Sequence, residues 1–256
     1  MSDETRSPKR PASASTQWPL LTADASYMLA LLYEMDAPVA AQLCPPGTEP
    51  DLWEGKALVS MTGMRFTRAR WLGWITAPLQ TSFDVVNLRC YVRRKTGGDC
   101  GVVIIKHIIT DPWIARLARW VRGEQSIARR IRHTFEIQGG KLRDEGLVEY
   151  SWRNKGRLSR LGGLADGDPQ PLEPGSLAAF AAEHDCIFTR RGNQTGVMFL
   201  AHPEWRVWPV MQPYLLCDIQ KQYGALFEPF LRRKPLAAFL AEGSPVAVFP
   251  GQSFRA

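Results

Sequence analysis

No stretch of the 256-residue chain approaches the roughly 20 consecutive apolar residues that a membrane-spanning helix needs. The longest apolar stretches, around Met28 to Leu32 and Gly101 to Ile105, are far shorter. No repeat of fixed period is present. The 19 prolines and 21 glycines are scattered, which excludes collagen-like, solenoid and low-complexity architectures. Cysteine is sparse and odd in number: Cys44, Cys90, Cys100, Cys186 and Cys217, none in a C-x-x-C pair. The N-terminus carries charge but no apolar signal core, so the expectation is a reduced, cytoplasmic protein with no membrane partner. Neither G-x-G-x-x-G nor a P-loop occurs, and no cofactor is indicated.

Hydrophobic residues make up 45% of the chain and charged residues 22%, enough apolar material for an ordinary core. Residues 1–16 are Ser, Pro, Ala and charge and read as a disordered tail, leaving 17–256 as a single domain. The net charge of +7 would suit phosphates, but it is spread along the chain. No helix-turn-helix, aromatic ribonucleoprotein motif or zinc finger accompanies it, which argues against nucleic acid. The run Arg129-Arg130-Ile131-Arg132 reads as a solvated face.

From Trp18 the pattern becomes that of strands. Tyr27, Leu29, Leu31 and Tyr33 alternate as in a buried strand, and Asp36 to Leu43 suggests a short helix stopped by Cys44-Pro45-Pro46-Gly47. Leu58 to Phe66 is apolar or small on both faces. In Phe83 to Arg93, Val86, Leu88, Cys90 and Val92 share one face, with Asn87, Arg89, Tyr91 and Arg93 on the other. Gly97-Gly98-Asp99 turns the chain back along Val102 to Ile109. Asp111-Pro112 starts an amphipathic helix ending near Gly123. Shorter strands are expected at Arg132 to Ile137, Leu147 to Trp152, Cys186 to Arg190 and Gly196 to Ala201. A polar loop is expected over Gly162 to Pro174 and a Ser176-capped helix over Leu177 to Glu183.

In order along the chain, Leu21-Thr22-Ala23, Pro45-Pro46-Gly47-Thr48, Asp51 to Ser60, Asn87 to Arg93, Gly175-Ser176-Leu177 and His202-Pro203-Glu204-Trp205, with a weak closing element at Val246 to Pro250, resemble the YqjF-like proteins. These bacterial proteins belong to the acetoacetate-decarboxylase-like superfamily. The resemblance implies a mainly β (α+β) fold: a cone-shaped antiparallel β-barrel with an internal pocket and two or three flanking short helices. It also implies relatives that often assemble, leaving a homo-oligomer open. In acetoacetate decarboxylases a Gly-x-Pro-Lys-Lys motif supplies a desolvated lysine that attacks the ketone as a free amine. The matching stretch here is Gly123-Glu124-Gln125-Ser126-Ile127, without lysine, and the family's strand glutamate falls on Val85. Asp84 is one residue away and so on the opposite face.

Several residues then compete for a role. Lys106 would be a nucleophile if its amine faced inward and lost its solvation, but it adjoins His107, and the two must point to opposite faces. His107 is either an acid–base group or a structural histidine. Asn87, Arg89 and Tyr91 would line one wall of a barrel, Arg89 meeting a carboxylate and the others orienting the guest. Otherwise they form a solvent face, or Arg89 is buried against Glu54 or Asp84. Trp53 and Trp205 would supply an apolar surround, and His202 is either a site residue or part of a packing corner. His184-Asp185-Cys186 cannot all face one ion, so no metal is expected. Ser60 and Ser126 lack a G-x-S-x-G elbow.

The reading these residues favour is a barrel that binds a small anionic or keto-acid-like molecule without Schiff-base decarboxylation. The rival is a lyase or hydrolase acting on a β-keto acid-like substrate through Lys106. A third possibility is a scaffold whose basic surface docks an acidic partner.

Overall fold

A computed structural model describes residues 18–71, 75–76, 81–116, 126–138 and 141–255. The expected tail and most of the helix running to Gly123 lie outside these residues.

Seven strands close into a hydrogen-bonded ring. Leu21–Met35 pairs on one side with Ala237–Pro250 and on the other with Lys56–Trp71. The ring continues through Phe83–Arg94 to Cys100–Ile109. Cys186–Arg191 then adds in parallel, and Gln194–Ala201 returns the ring to Ala237–Pro250. Six of the seven seams are antiparallel, and the parallel one is where the ring closes. There Gly101 lies opposite Cys186, and a Cβ on it would sit 2.3 Å from the Cys186 carbonyl oxygen. That oxygen belongs to backbone and has little freedom to move aside.

A second sheet, Ile131–Phe135, Gly146–Asn154, Arg157–Ala165 and Arg206–Leu216, covers part of the outside of the ring. It joins the ring where Val207 pairs with Ala241. Between the two layers lies one core, in which Leu29, Leu31, Tyr33, Val59, Met61, Val86, Leu88 and Cys90 meet Val148, Tyr150, Trp152 and Leu161. A different core fills much of the inside of the ring, with Met28, Ala30, Leu32, Leu58, Met64, Phe83, Val85 and Tyr91 among its members. The ring strands are therefore buried on both faces over much of their length. This is why Leu58 to Phe66 carries apolar or small residues on both sides instead of alternating with charge.

Short helices flank the strands. Ala37–Leu43 follows Asp36, and Ser176 Oγ caps Leu177–Ala182 by accepting from Ala179 N at 3.1 Å. Asp111 opens its helix as expected, with Oδ1 accepting from the amides of Trp113 at 2.7 Å and Ile114 at 3.0 Å. Ile219–Tyr223 is fastened to the second sheet by Gln222, which accepts from Trp152 Nε1 at 2.9 Å and donates to Ser159 Oγ at 2.5 Å. Among the described residues no helix is long and apolar enough to cross a membrane.

The expected loop over Gly162 to Pro174 begins later: a strand runs to Ala165, and Gln170–Pro171 pairs briefly with Arg206 and Val207. Arg206–Leu216, for which the sequence pattern suggested no element, is also a strand. The two pair through a register shift between Gly162 and Leu164, with Gln212 and Pro213 on the partner side. A bulge absorbs a proline there without breaking a ladder bond.

Gly101→Ala is expected to destabilise the fold by about 1–3 kcal/mol, the usual cost of overpacking. Denaturant titration checks this, and unchanged stability would mean that the parallel seam does not close as described.

Candidate functional site

The strand Phe83–Arg94 sets the site. Its residues Val86, Leu88 and Cys90 go to the core between the layers, so Asn87 and Arg89 turn inward. There they line a cavity of about 110 Å³ whose wall is otherwise largely apolar, including Met64, Phe83, Ile104, Ile187, Trp205 and Val246. At the ~30 Å³ share of one water, this holds roughly three to four waters or a small organic molecule. His107 and His184 complete its polar lining.

Arg89 is held from behind. Its Nε donates to Ser60 Oγ at 3.2 Å, and Tyr91 donates its hydroxyl to the same oxygen at 2.9 Å. The guanidinium carbon lies 5.7 Å from the Tyr91 ring centroid, and Nη2 lies 4.0 Å from Met28 Sδ. Among the described residues no carboxylate reaches Arg89. The two partners weighed for it are elsewhere. Glu54 is exposed on a tight turn. Asp84 faces outward, 3.0 Å from His133 Nδ1 and 3.8 Å from Arg65. Tyr91 spends its hydroxyl on Ser60 and positions Arg89 instead of lining the cavity.

Lys106 and His107 part as adjacent strand residues must. His107 pairs with Asn87 and faces the cavity, while Lys106 pairs with Leu88 and faces outward. The Lys106 amine donates to the Gln222 carbonyl and lies 5.9 Å from the Tyr223 ring centroid. Burial, with Arg129 nearby, lowers its pKa, but the perturbed amine is outside the ring. Of the chain's lysines only Lys9 is undescribed, and none of the described lysines lines the cavity. The thiols are poor nucleophiles as well. Burial foremost pushes Cys44 and Cys100 up to about 11 and Cys186 and Cys217 up to about 12, and raises Cys90 further.

His202 stacks on Trp205 with ring centroids 4.1 Å apart, so it backs a cavity residue without lining the cavity itself. Trp53 lies half-buried, its Nε1 3.4 Å from the Gly175 carbonyl.

Sequence reading passed over Asp51 and gave His184 only as part of an unworkable metal triplet. Helix Leu177–Ala182 delivers His184 to the cavity, with Nδ1 2.5 Å from the Phe180 carbonyl and Nε2 3.0 Å from Asp51 Oδ2. Both nitrogens face acceptors, so the ring offers the cavity a carbon edge. The signal for this pair is tertiary, since 133 positions separate the two residues.

Folds of this kind define a class. A solved structure described as an acetoacetate decarboxylase-like enzyme from Sphingomonas wittichii RW1 matches with TM-score 0.63 at 15% identity, over 100% of this chain and 99% of that one. The enduracididine biosynthesis enzyme MppR complexed with pyruvate matches with TM-score 0.62 at 13% identity, over 99% and 97%. Acetoacetate decarboxylase from Legionella pneumophila matches with TM-score 0.62 at 12% identity, over 99% and 92%. The fold is thus acetoacetate-decarboxylase-like. No curated protein matches in sequence. Residues 22–245 match the family DUF2071, described as an uncharacterized conserved protein, and the chain belongs to it.

The Asp51 carboxyl lies below its ordinary value. Burial alone would raise it, but hydrogen bonds from His184 and Cys100 and the charges of His184 and Arg93 outweigh that. A carboxylate lowered by folding stabilises the protein above its unfolded value, near about 3.9, and loses that contribution as pH falls through the folded value. Asp51→Asn should therefore be less stable than the wild type at pH 7, with the gap narrowing below about pH 4. Denaturant midpoints at pH 7 and pH 3 check this, and a gap independent of pH contradicts an ionic pair.

Proposed function

We propose that this protein binds a small organic carboxylate inside the strand ring, with Arg89 as its counter-charge and without forming an imine. The observation that carries the reading is a guanidinium lining a largely apolar cavity with no carboxylate partner among the described residues. Arg89 is half-buried; withdrawing an unpaired charge even partly from water is costly, and a carboxylate guest that accepts two N–H bonds offsets that cost. Asn87, one step along the same face, offers the guest a second, uncharged contact. Ser60 and Tyr91 hold the guanidinium in place, and Trp205, backed by His202, forms part of the apolar wall.

The pyruvate complex of MppR supports the size and class of guest for this fold. The absence of lysine from the cavity lining among the described residues supports a non-covalent mode, since an imine needs an amine within reach of the carbonyl. Five free cysteines, three of them buried, favour a reducing, cytoplasmic setting.

Calorimetry and thermal melting with pyruvate, acetoacetate and butyrate test the reading. At least one acid should bind saturably, and Arg89→Met should weaken it roughly 10- to 100-fold, the range for loss of a charge-assisted hydrogen bond. Borohydride added with pyruvate should leave the protein mass unchanged. Failure of every acid to bind, or an Arg89→Met variant that binds as well as the wild type, overturns the proposal.

A further inference from the structure

Four polar residues stand in register across four neighbouring strands. Thr62 pairs with Asn87, Asn87 with His107 and His107 with Ser126. Directly paired residues share a face of the sheet. Asn87 and His107 line the cavity, and Thr62 and Ser126 lie beside them on the same inward face of the sheet, just behind that lining. Thr62 and Ser126 are each 2% exposed. The Thr62 and Ser126 hydroxyls and the Asn87 carbonyl oxygen have no hydrogen-bond partner among the described residues.

Three such atoms on one inner face are unusual. Buried polar groups are nearly always satisfied, and each orphan costs about 1–3 kcal/mol. Valine and alanine would fill the Thr62 and Ser126 positions without that cost. The row also lies one level along the strand from Arg89, about 6.6 Å between Cα positions two residues apart. A guest whose carboxylate meets Arg89 therefore extends its other end toward this row.

The orphan on Asn87 is an acceptor, so what meets it must donate a hydrogen. A keto oxygen cannot, and a methyl group leaves it unsatisfied. A hydroxyl donates to Asn87 and, once the Thr62 or Ser126 side chain rotates toward the cavity, accepts from one of them as well. Resting on the reading of Arg89 above, we infer that the row is a hydroxyl-recognising subsite and that the guest is a short hydroxycarboxylate, in preference to a keto acid or a plain fatty acid.

Butyrate, acetoacetate, 3-hydroxybutyrate and 4-hydroxybutyrate separate these classes at nearly constant size. A hydroxy acid should bind at least about fivefold more tightly than butyrate or acetoacetate, the increment of one net neutral hydrogen bond. Asn87→Leu should erase that preference, whereas Arg89→Met should weaken all four. Because Asn87→Leu also alters packing, Thr62→Val and Ser126→Ala provide a second reading in the ligand-free protein. Their melting temperatures should equal or exceed that of the wild type, and a fall of several degrees would make these hydroxyls structural and overturn the inference. Acids that bind through Arg89 with no preference for hydroxyl overturn it and leave the carboxylate reading standing. Failure of all four to bind removes both.

Discussion

The two-residue period of the strand Phe83–Arg94, buried on both faces, is the constraint on which the rest depends. Val86, Leu88 and Cys90 are committed to the core beneath the second sheet, where they meet Leu31, Val59 and Tyr150. That commitment turns Asn87 and Arg89 into the ring. A slip of one residue would bury a guanidinium among leucines and place Leu88 in the cavity, so register here is enforced by the apolar face and exploited by the polar one.

Arg89 would be costly to keep inside without help. Its Nε is taken up by Ser60, and the Tyr91 hydroxyl on the same oxygen ties the arrangement to the next turn of the strand. This leaves the outer nitrogens of the guanidinium available to a guest, while the ring of Tyr91 and the sulfur of Met28 limit where the group can swing. Across the cavity, His184 is engaged at both nitrogens and so acts more as wall than as base. The proposed binding rests on this cation facing an apolar wall, with uncharged hydrogen-bonding groups one level away. Among the described residues the one amine whose pKa is lowered, that of Lys106, lies on the far side of the strand wall, beyond reach of the cavity.

Much of this architecture can be read from residue order. The alternation in Phe83 to Arg93 places Asn87, Arg89 and Tyr91 on one face, and adjacency alone separates Lys106 from His107. The capped helices at Asp111 and Ser176 follow from side-chain chemistry local to a single turn. What escaped sequence reading has a physical pattern. Gly163 resembles a loop residue, yet a Cβ there would lie 2.4 Å from Val210, so the glycine marks two strands in close approach. Pro213 reads as a strand breaker and sits in the bulge that tolerates it. Ser60 looked like an isolated hydroxyl, and its importance comes from Arg89 and Tyr91, 29 and 31 positions away.

The amino-acid sequence by itself determined the mainly β class, the family resemblance, the absence of lysine from Gly123 to Ile127, and which residues of each strand share a face. These are consequences of local periodicity and of residue identity, which need no partner to be defined. Only the tertiary structure decided which of the two faces looks inward, that Arg89 meets Ser60 and no carboxylate among the described residues, that Asp51 reaches His184, and that Thr62, Asn87, His107 and Ser126 fall in one row. Those outcomes depend on how strands distant in sequence pair and where the ring closes. The alternation within a strand is blind to that, because it reads the same whichever side the rest of the chain comes to cover.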